Sequence, residues 1–472
     1  MNALLAVALP LSFACSAVDS VGSSDESAKT TYKPGCKPLA GPTYALHGMA
    51  LLPNGPADAY VVVSGEKIAA VATSAASVPS NATIVETGGV IAPGLVDLHN
   101  HVAYDFIPFW NSGKRWQNRY QWARTSAYAA AVKTPYNDVK NAGRTCEAVK
   151  YGELRALVGG TTSVEGSADL TCTRSWARNV EFENFCADRV RENVLPVTAL
   201  KQSDADTLNA QFASGATKAY IVHLAEGIDD SSRAEFDYMD QLGLVKPELV
   251  AIHGTALTDA QLQKMGQVGA KLVWSPLSNL ALYGQTTNIP AAVAAGITIS
   301  IAPDWSPSGS ANVLGELKVA DRVNRERFGG LLSDQDLVAM VTSNPAHTVA
   351  MDDKIGAIAQ GLYADLMVVR GDPAAPYRAL IDAHPADVLL TTVSGQAFYG
   401  TSDIVSAIGD GRTYETVDAC GEPRSLAVEE TSLPIPNGQE TLADLTGAFT
   451  SAGVASTIPL FQCDPAPEFA FH

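Results

Sequence analysis

Val90-Ile-Ala-Pro-Gly-Leu-Val-Asp-Leu-His-Asn-His101 decides the fold. An apolar run broken only by a Pro-Gly pair and one Asp reads as a buried strand, and two histidines fall where it ends. Alternation along the strand points His99 and His101 to one side, so both imidazoles reach one ion. Of the eight histidines in the chain, two more close apolar runs in the same way: His223 after Ala219-Tyr-Ile-Val and His253 after Leu249-Val-Ala-Ile. A fourth run, Ile297-Thr-Ile-Ser-Ile-Ala-Pro-Asp304, closes on a carboxylate. Four strand-like segments each delivering a metal-competent side chain at the C-terminal end is the arrangement of a (β/α)8 TIM barrel, which keeps its chemistry on that face.

These segments resemble the amidohydrolase superfamily, and within it the cytosine-deaminase-like and chlorohydrolase-like branch. The matching text is Gly94-Leu-Val-Asp-Leu-His-Asn-His101, His223-Leu-Ala-Glu226, His253-Gly254, Ser275-Pro-Leu-Ser-Asn279 and Ala302-Pro-Asp304. It continues through Asn344-Pro-Ala346 and Ile355-Gly356 to Gly361-Leu-Tyr-Ala-Asp365, so that residues 45–400 are covered. Where the family usually shows Gly-Thr-Asp, this chain has Ala302-Pro303-Asp304. The resemblance implies an α/β fold: a TIM barrel over residues 90–349, beside a small β-sandwich composed of 41–89 and 350–402. Residues 403–472 have no counterpart in it and read as an appended segment packing on the surface. Barrel strands are expected at 95–101, 161–165, 179–185, 194–200, 220–223, 249–253, 271–274 and 298–301. Helices are expected at 147–158, 232–242, 259–268 and 289–295.

His99, His101, His223 and Asp304 are assigned to one metal ion per chain. Three neutral imidazoles and a carboxylate suit Zn2+, with Fe2+ or Mn2+ as alternatives. Asp304 also takes the proton of the attacking water, and His253 polarises the atom under attack, a fifth ligand being its other reading. In the deaminase-like branch the Glu of His-x-x-Glu shuttles protons, which points to Glu226. Binuclear relatives bridge two ions with a carbamylated lysine at a strand end, which makes Lys201 the candidate bridge; the alternative is a solvated end charge. Glu165, Asn279 and Trp305 face the same mouth as candidate substrate contacts. The aromatic stretch 104–136, with Phe106, Phe109, Trp110, Trp116, Tyr120 and Trp122, is read as a lid that stacks on a flat or apolar substrate rather than as buried filling.

Together these features imply a hydrolase of a carbon–nitrogen bond other than a standard peptide bond, with deamination of a heterocyclic amine in front. Cyclic-amide or dipeptide hydrolysis, imidazolonepropionase-like or prolidase-like, comes second, and a non-catalytic surface binding protein third. At 46% hydrophobic and 17% charged the chain is globular, and a net charge of −18 argues against nucleic acid or an anionic membrane surface as partner. The partner is instead a small-molecule substrate. Beyond the N-terminus no stretch is long and apolar enough to span a bilayer. Residues 1–17 read as a signal or lipoprotein peptide and 18–40 as a disordered tether. Cys15 after Ala14 resembles a lipid-anchor site, with signal-peptidase cleavage near Ala14 or Ala17 competing. Export to the periplasm, the outer membrane or the medium follows. The six cysteines besides Cys15 suit an oxidising compartment. At least one bridge is expected among Cys146, Cys172 and Cys186, and another from Cys36 to Cys420 or Cys463.

Overall fold

Eight short parallel strands present their C-terminal ends to one mouth. The computed structural model describes residues 41–166, 177–181, 189–194, 196–428 and 441–463. The expectations on 1–17 and 18–40, with Cys15, Cys36, Cys172 and Cys186, lie outside these. Four strands open the chain: β1 (Thr43–Leu52), β2 (Gly55–Ser64), β3 (Lys67–Ala72) and β4 (Thr83–Pro93). The mouth-forming strands follow: β5 (Leu95–Asp97), β6 (Thr161–Val164), β7 (Arg178–Asn179), β8 (Val190–Asn193), β9 (Ala219–Leu224), β10 (Leu249–His253), β11 (Lys271–Trp274) and β12 (Ile299–Ile301). They form two parallel sheets, β5-β6-β7 and β8-β9-β10-β11-β12. Among the described residues, helices lie between β5 and β6 and between successive strands from β8 onward, including Thr145–Leu157, Asp230–Gln241, Asp259–Val268 and Ile289–Ala294.

This is a TIM-barrel-like α/β fold, but among the described residues no continuous ladder closes the ring. At the β5/β12 seam, Met340 and Val341 carbonyls accept from Ile301 and Val96, so the strands are wedged apart there. They meet only at the mouth, where Asn100 bridges Asp304 and the amides of His101 and Asp304 bond across. Alternation sorts the side chains of β9: Ala219 and Ile221 join the interior cluster with Val250 and Ile252 of β10, while Tyr220, Val222 and Leu224 pack outward.

The flanking segments do unite, in one nine-stranded hydrogen-bonded sheet. Its order is β16-β17-β15-β14-β13-β4-β1-β2-β3, with β13 (Leu366–Val369), β14 (Val388–Val393), β15 (Gln396–Gly400), β16 (Glu415–Ala419) and β17 (Glu422–Leu426). The segment after residue 402 is therefore no mere outer layer. Its strands β16 and β17 extend the sheet, and Phe449 of helix Leu442–Ser451 is buried against Phe106, ring centroids 4.6 Å apart. Cys420 and Cys463 bridge each other, which excludes the expected pairing of either with Cys36. Cys146 is also disulfide-bonded.

One expected strand is displaced. Residues 194–200 contain Pro196, which cannot donate to a ladder, and Val197–Ala199 forms a 3-10 turn. The strand lies earlier, at Val190–Asn193.

Candidate metal centre and pocket

β5 ends at Asp97, so His99 and His101 lie just past it rather than on the strand. The loop is held tightly: Asp97 accepts from the His99 amide and the Asn100 side chain. Gly166 (φ 83°) packs so close that a Cβ there would lie 1.7 Å from the Asn100 carbonyl oxygen. His223 follows Ala219 and Ile221 inward along β9. His253 does not follow alternation, which would send it outward with Leu249 and Ala251. A left-handed φ of 65° ends the pleat and turns its ring to the site, 4.8 Å from the His99 ring centroid. Asp304 likewise has φ 73°.

His99 Nε2 is 3.1 Å from His223 Nε2 and 3.2 Å from Asp304 Oδ1, and His101 Nε2 is 3.6 Å from that same oxygen. One donor atom from each of the four lies within 4.8 Å of the others. Burial, then the neighbouring imidazoles, holds His99 and His223 well below the ordinary histidine pKa, and burial brings His101 to about 3. The rings are neutral, with lone pairs available. Burial, then the charge of Glu226, pushes the Asp304 carboxyl well above its usual range. Two nitrogens 3.1 Å apart suit one ion roughly 2.1 Å from each, and the buried Asp304 carboxylate supplies an anionic ligand beside them. The residues fit a divalent metal.

Behind these four, Ser278 Oγ donates to Asp304 Oδ2 at 2.6 Å, leaving Oδ1 to the imidazoles, and Ser275 Oγ is 3.0 Å from His99 Nδ1. A chain of bonds settles the His253 tautomer. The Thr287 hydroxyl donates to the His253 carbonyl (2.5 Å), so its oxygen receives the Asn279 amide (3.3 Å). Asn279 Oδ1 therefore faces His253 Nδ1 at 2.9 Å and takes its proton. The neutral ring presents a bare Nε2, 3.8 Å from Glu226 Oε2 and 4.0 Å from Asp304 Oδ2. His253 is thus an acceptor; it cannot polarise the attacked atom by donating a proton. His253 also groups with His223 and Glu226, a donor set that fits the fifth-ligand reading.

Glu226 is buried past the end of β9. Tyr283 donates to its Oε1 at 2.6 Å, Trp122 Nε1 donates to the Tyr283 hydroxyl at 2.9 Å, and Arg119 reaches Oε2 at 3.4 Å. Sequence reasoning missed Arg119 and Tyr283. Tyr283 had a signal: it stands four residues after Asn279 on helix Pro276–Tyr283, hence on the same face.

The site opens into a cavity walled by Trp122, Tyr128, Trp305, Val194 and Pro196. Part of the aromatic stretch thus faces the cavity, while Phe106 is core and Trp116 is buried away from the lining. Of the candidate substrate contacts, Trp305 lines the pocket. Asn279 does not: it lies behind His253. Glu165 sits instead with Glu181 and Glu192 and accepts from the Asn100 amide. Lys201 caps helix Gln202–Ser214 and is exposed, away from the lining, because the strand expected before it is not there.

Residues 197–400 match the model of the amidohydrolase family. A 5'-deoxyadenosine deaminase of Methanothermobacter thermautotrophicus is 24% identical over 395 residues, spanning 75% of this chain and 88% of its own. The crystal structure of an adenosine deaminase from Xanthomonas campestris with bound zinc superposes with a TM-score of 0.63 at 17% identity, covering 88% of this chain and 99% of its own. A guanine deaminase from Bradyrhizobium japonicum gives 0.60 at 16% identity, over 76% of this chain and 100% of its own. These matches bear out the amidohydrolase resemblance and the TIM-barrel-like fold.

Proposed function

We propose that this amidohydrolase hydrolyses a carbon–nitrogen bond other than a standard peptide bond, deaminating a heterocyclic amine with water. The observation that carries the reading is the convergence of a four-residue donor set with Glu226, in a relative of deaminases. His99, His101, His223 and Asp304 would hold one ion, Zn2+ before Fe2+ or Mn2+. When bound, the ion supplies Lewis acidity that brings the pKa of a water towards about 7.

The chain's own groups handle the protons. Asp304 has Oδ1 turned to His99 and His101, and takes the water's proton on Oδ2, where Ser278 fixes the carboxylate. The bare His253 Nε2, 4.0 Å from Oδ2 and 3.8 Å from Glu226 Oε2, accepts between the two carboxylates. Tyr283 occupies Glu226 Oε1, so the proton delivered to the leaving amine travels on Oε2. Trp122, Tyr128 and Trp305 keep bulk water from the reacting carbon. Ammonia and the oxygenated ring leave.

The reading takes the eight strands as a complete (β/α)8 ring beside a composite sandwich. It also includes export, with a lipid anchor at Cys15 or signal-peptidase cleavage near Ala14 or Ala17, in keeping with the Cys420–Cys463 bridge. The test is ammonia release by zinc-reconstituted protein from a panel of aminated heterocycles, with Glu226→Gln and metal-stripped protein as controls. Release abolished by both controls is expected. Silence across the panel with metal bound would move the weight to cyclic-amide or dipeptide hydrolysis, a reading to which the exposed Lys201 lends nothing.

A further inference from the structure

The cavity is lopsided. Its reactive end gathers histidines and carboxylates, whereas the rest of its wall is aromatic and aliphatic. Most polar side chains of that wall are engaged inside the protein. Trp305 Nε1 donates to Ser308, Trp122 Nε1 to Tyr283, the Tyr120 hydroxyl to Glu235, and Arg119 to Glu226 and the Val194 carbonyl.

Tyr128 differs. Its side chain is fully buried, its ring lines the cavity between Trp122 (centroids 5.0 Å) and Trp305 (6.2 Å), and its hydroxyl has no hydrogen-bond partner. An unpaired buried hydroxyl is costly and calls for a partner. Burial and the charges of Asp304 and Glu226 raise its pKa, so it stays a donor. A π-helical turn, Ala129–Lys133, follows directly; such turns recur at functional sites.

We infer that Tyr128 is the recognition donor of this pocket, and that the substrate is a compact planar ring carrying a hydrogen-bond acceptor and no sugar. This rests on the deaminase reading. The ring stacks among Trp122, Tyr128 and Trp305 and receives the Tyr128 hydroxyl on a ring nitrogen or carbonyl oxygen. A ribose would bring several hydroxyls against a mostly aromatic and aliphatic wall whose polar side chains other than Tyr128 are already engaged within the protein, a penalty that disfavours it.

The test uses the zinc-loaded protein and tryptophan-fluorescence quenching by the product-like bases hypoxanthine and uracil and by their nucleosides, inosine and uridine. At least one base should bind tenfold or more tighter than its nucleoside, and Tyr128→Phe, which keeps the ring, should weaken that base about tenfold. The inference is overturned if the nucleosides bind as tightly as the bases, if neither base binds, or if Tyr128→Phe keeps full affinity. The base-to-nucleoside ratio of the unaltered protein stands even if the variant folds poorly. Ammonia release separates the two ideas. Base binding without release from the aminated base sinks deamination and leaves the recognition intact; equal release from base and nucleoside does the reverse.

Discussion

Replacing Ser278 by alanine removes one hydroxyl and tests how the metal centre is held. Ser278 Oγ donates to Asp304 Oδ2 at 2.6 Å and is itself 2.9 Å from Ser308 Oγ, which is tied to Trp305. The Asp304 carboxylate is buried, so this bond is charge-assisted and little screened. A hydrogen bond to a charged group contributes about 1.5–3 kcal/mol, and at about 1.4 kcal/mol per decade that is roughly tenfold to 150-fold in affinity. Loss of groups that orient metal ligands costs about 10–100-fold in other sites. Zinc affinity of Ser278→Ala should therefore fall into that range, read by competition against a fluorescent chelator. Activity at saturating zinc should fall less than affinity. Unchanged affinity with Asp304→Asn metal-free would refute the orienting role of the serine; unchanged affinity in both variants would refute the ligand set itself.

Tyr283→Phe should lower kcat about tenfold, the worth of one charge-assisted bond, while zinc content per chain measured by elemental analysis stays at the parent value. For His101, burial depresses the folded pKa to about 3 against the ordinary histidine value of 6.5. The unfolded chain thus binds the proton first, and metal-free protein loses this contribution as pH falls from 6.5 to 3. Relative to His101→Phe, its stability in denaturant titrations should drop by up to about 1.4 kcal/mol per pH unit; a flat difference would contradict the burial argument. Cutting the 43-residue span between Cys420 and Cys463 by a double serine replacement should lower unfolding free energy by about 4 kcal/mol on the loop-entropy estimate. Loss of Phe449 protection in hydrogen exchange would locate that effect.

What the sequence determined by itself was the list of chemical groups and their order. Apolar runs ending in His99, His101, His223, His253 and Asp304 were legible because a buried parallel strand must be apolar and must stop where polar groups begin. The same logic failed at 194–200, where apolar text carries Pro196 and turns instead of extending, and Lys201 went with it. Tertiary structure alone decided the roles. The inward turn of His253 comes from one left-handed residue, which no alternation rule contains. Asn279 became an orienting group rather than a substrate contact because Thr287 arrives to fix its amide. Tyr128 faces the site through a segment that one-dimensional text shows only as aromatic. Spacing tells which side chains a strand end can deliver; the atom each one meets depends on chain packed from elsewhere, and so does its protonation state.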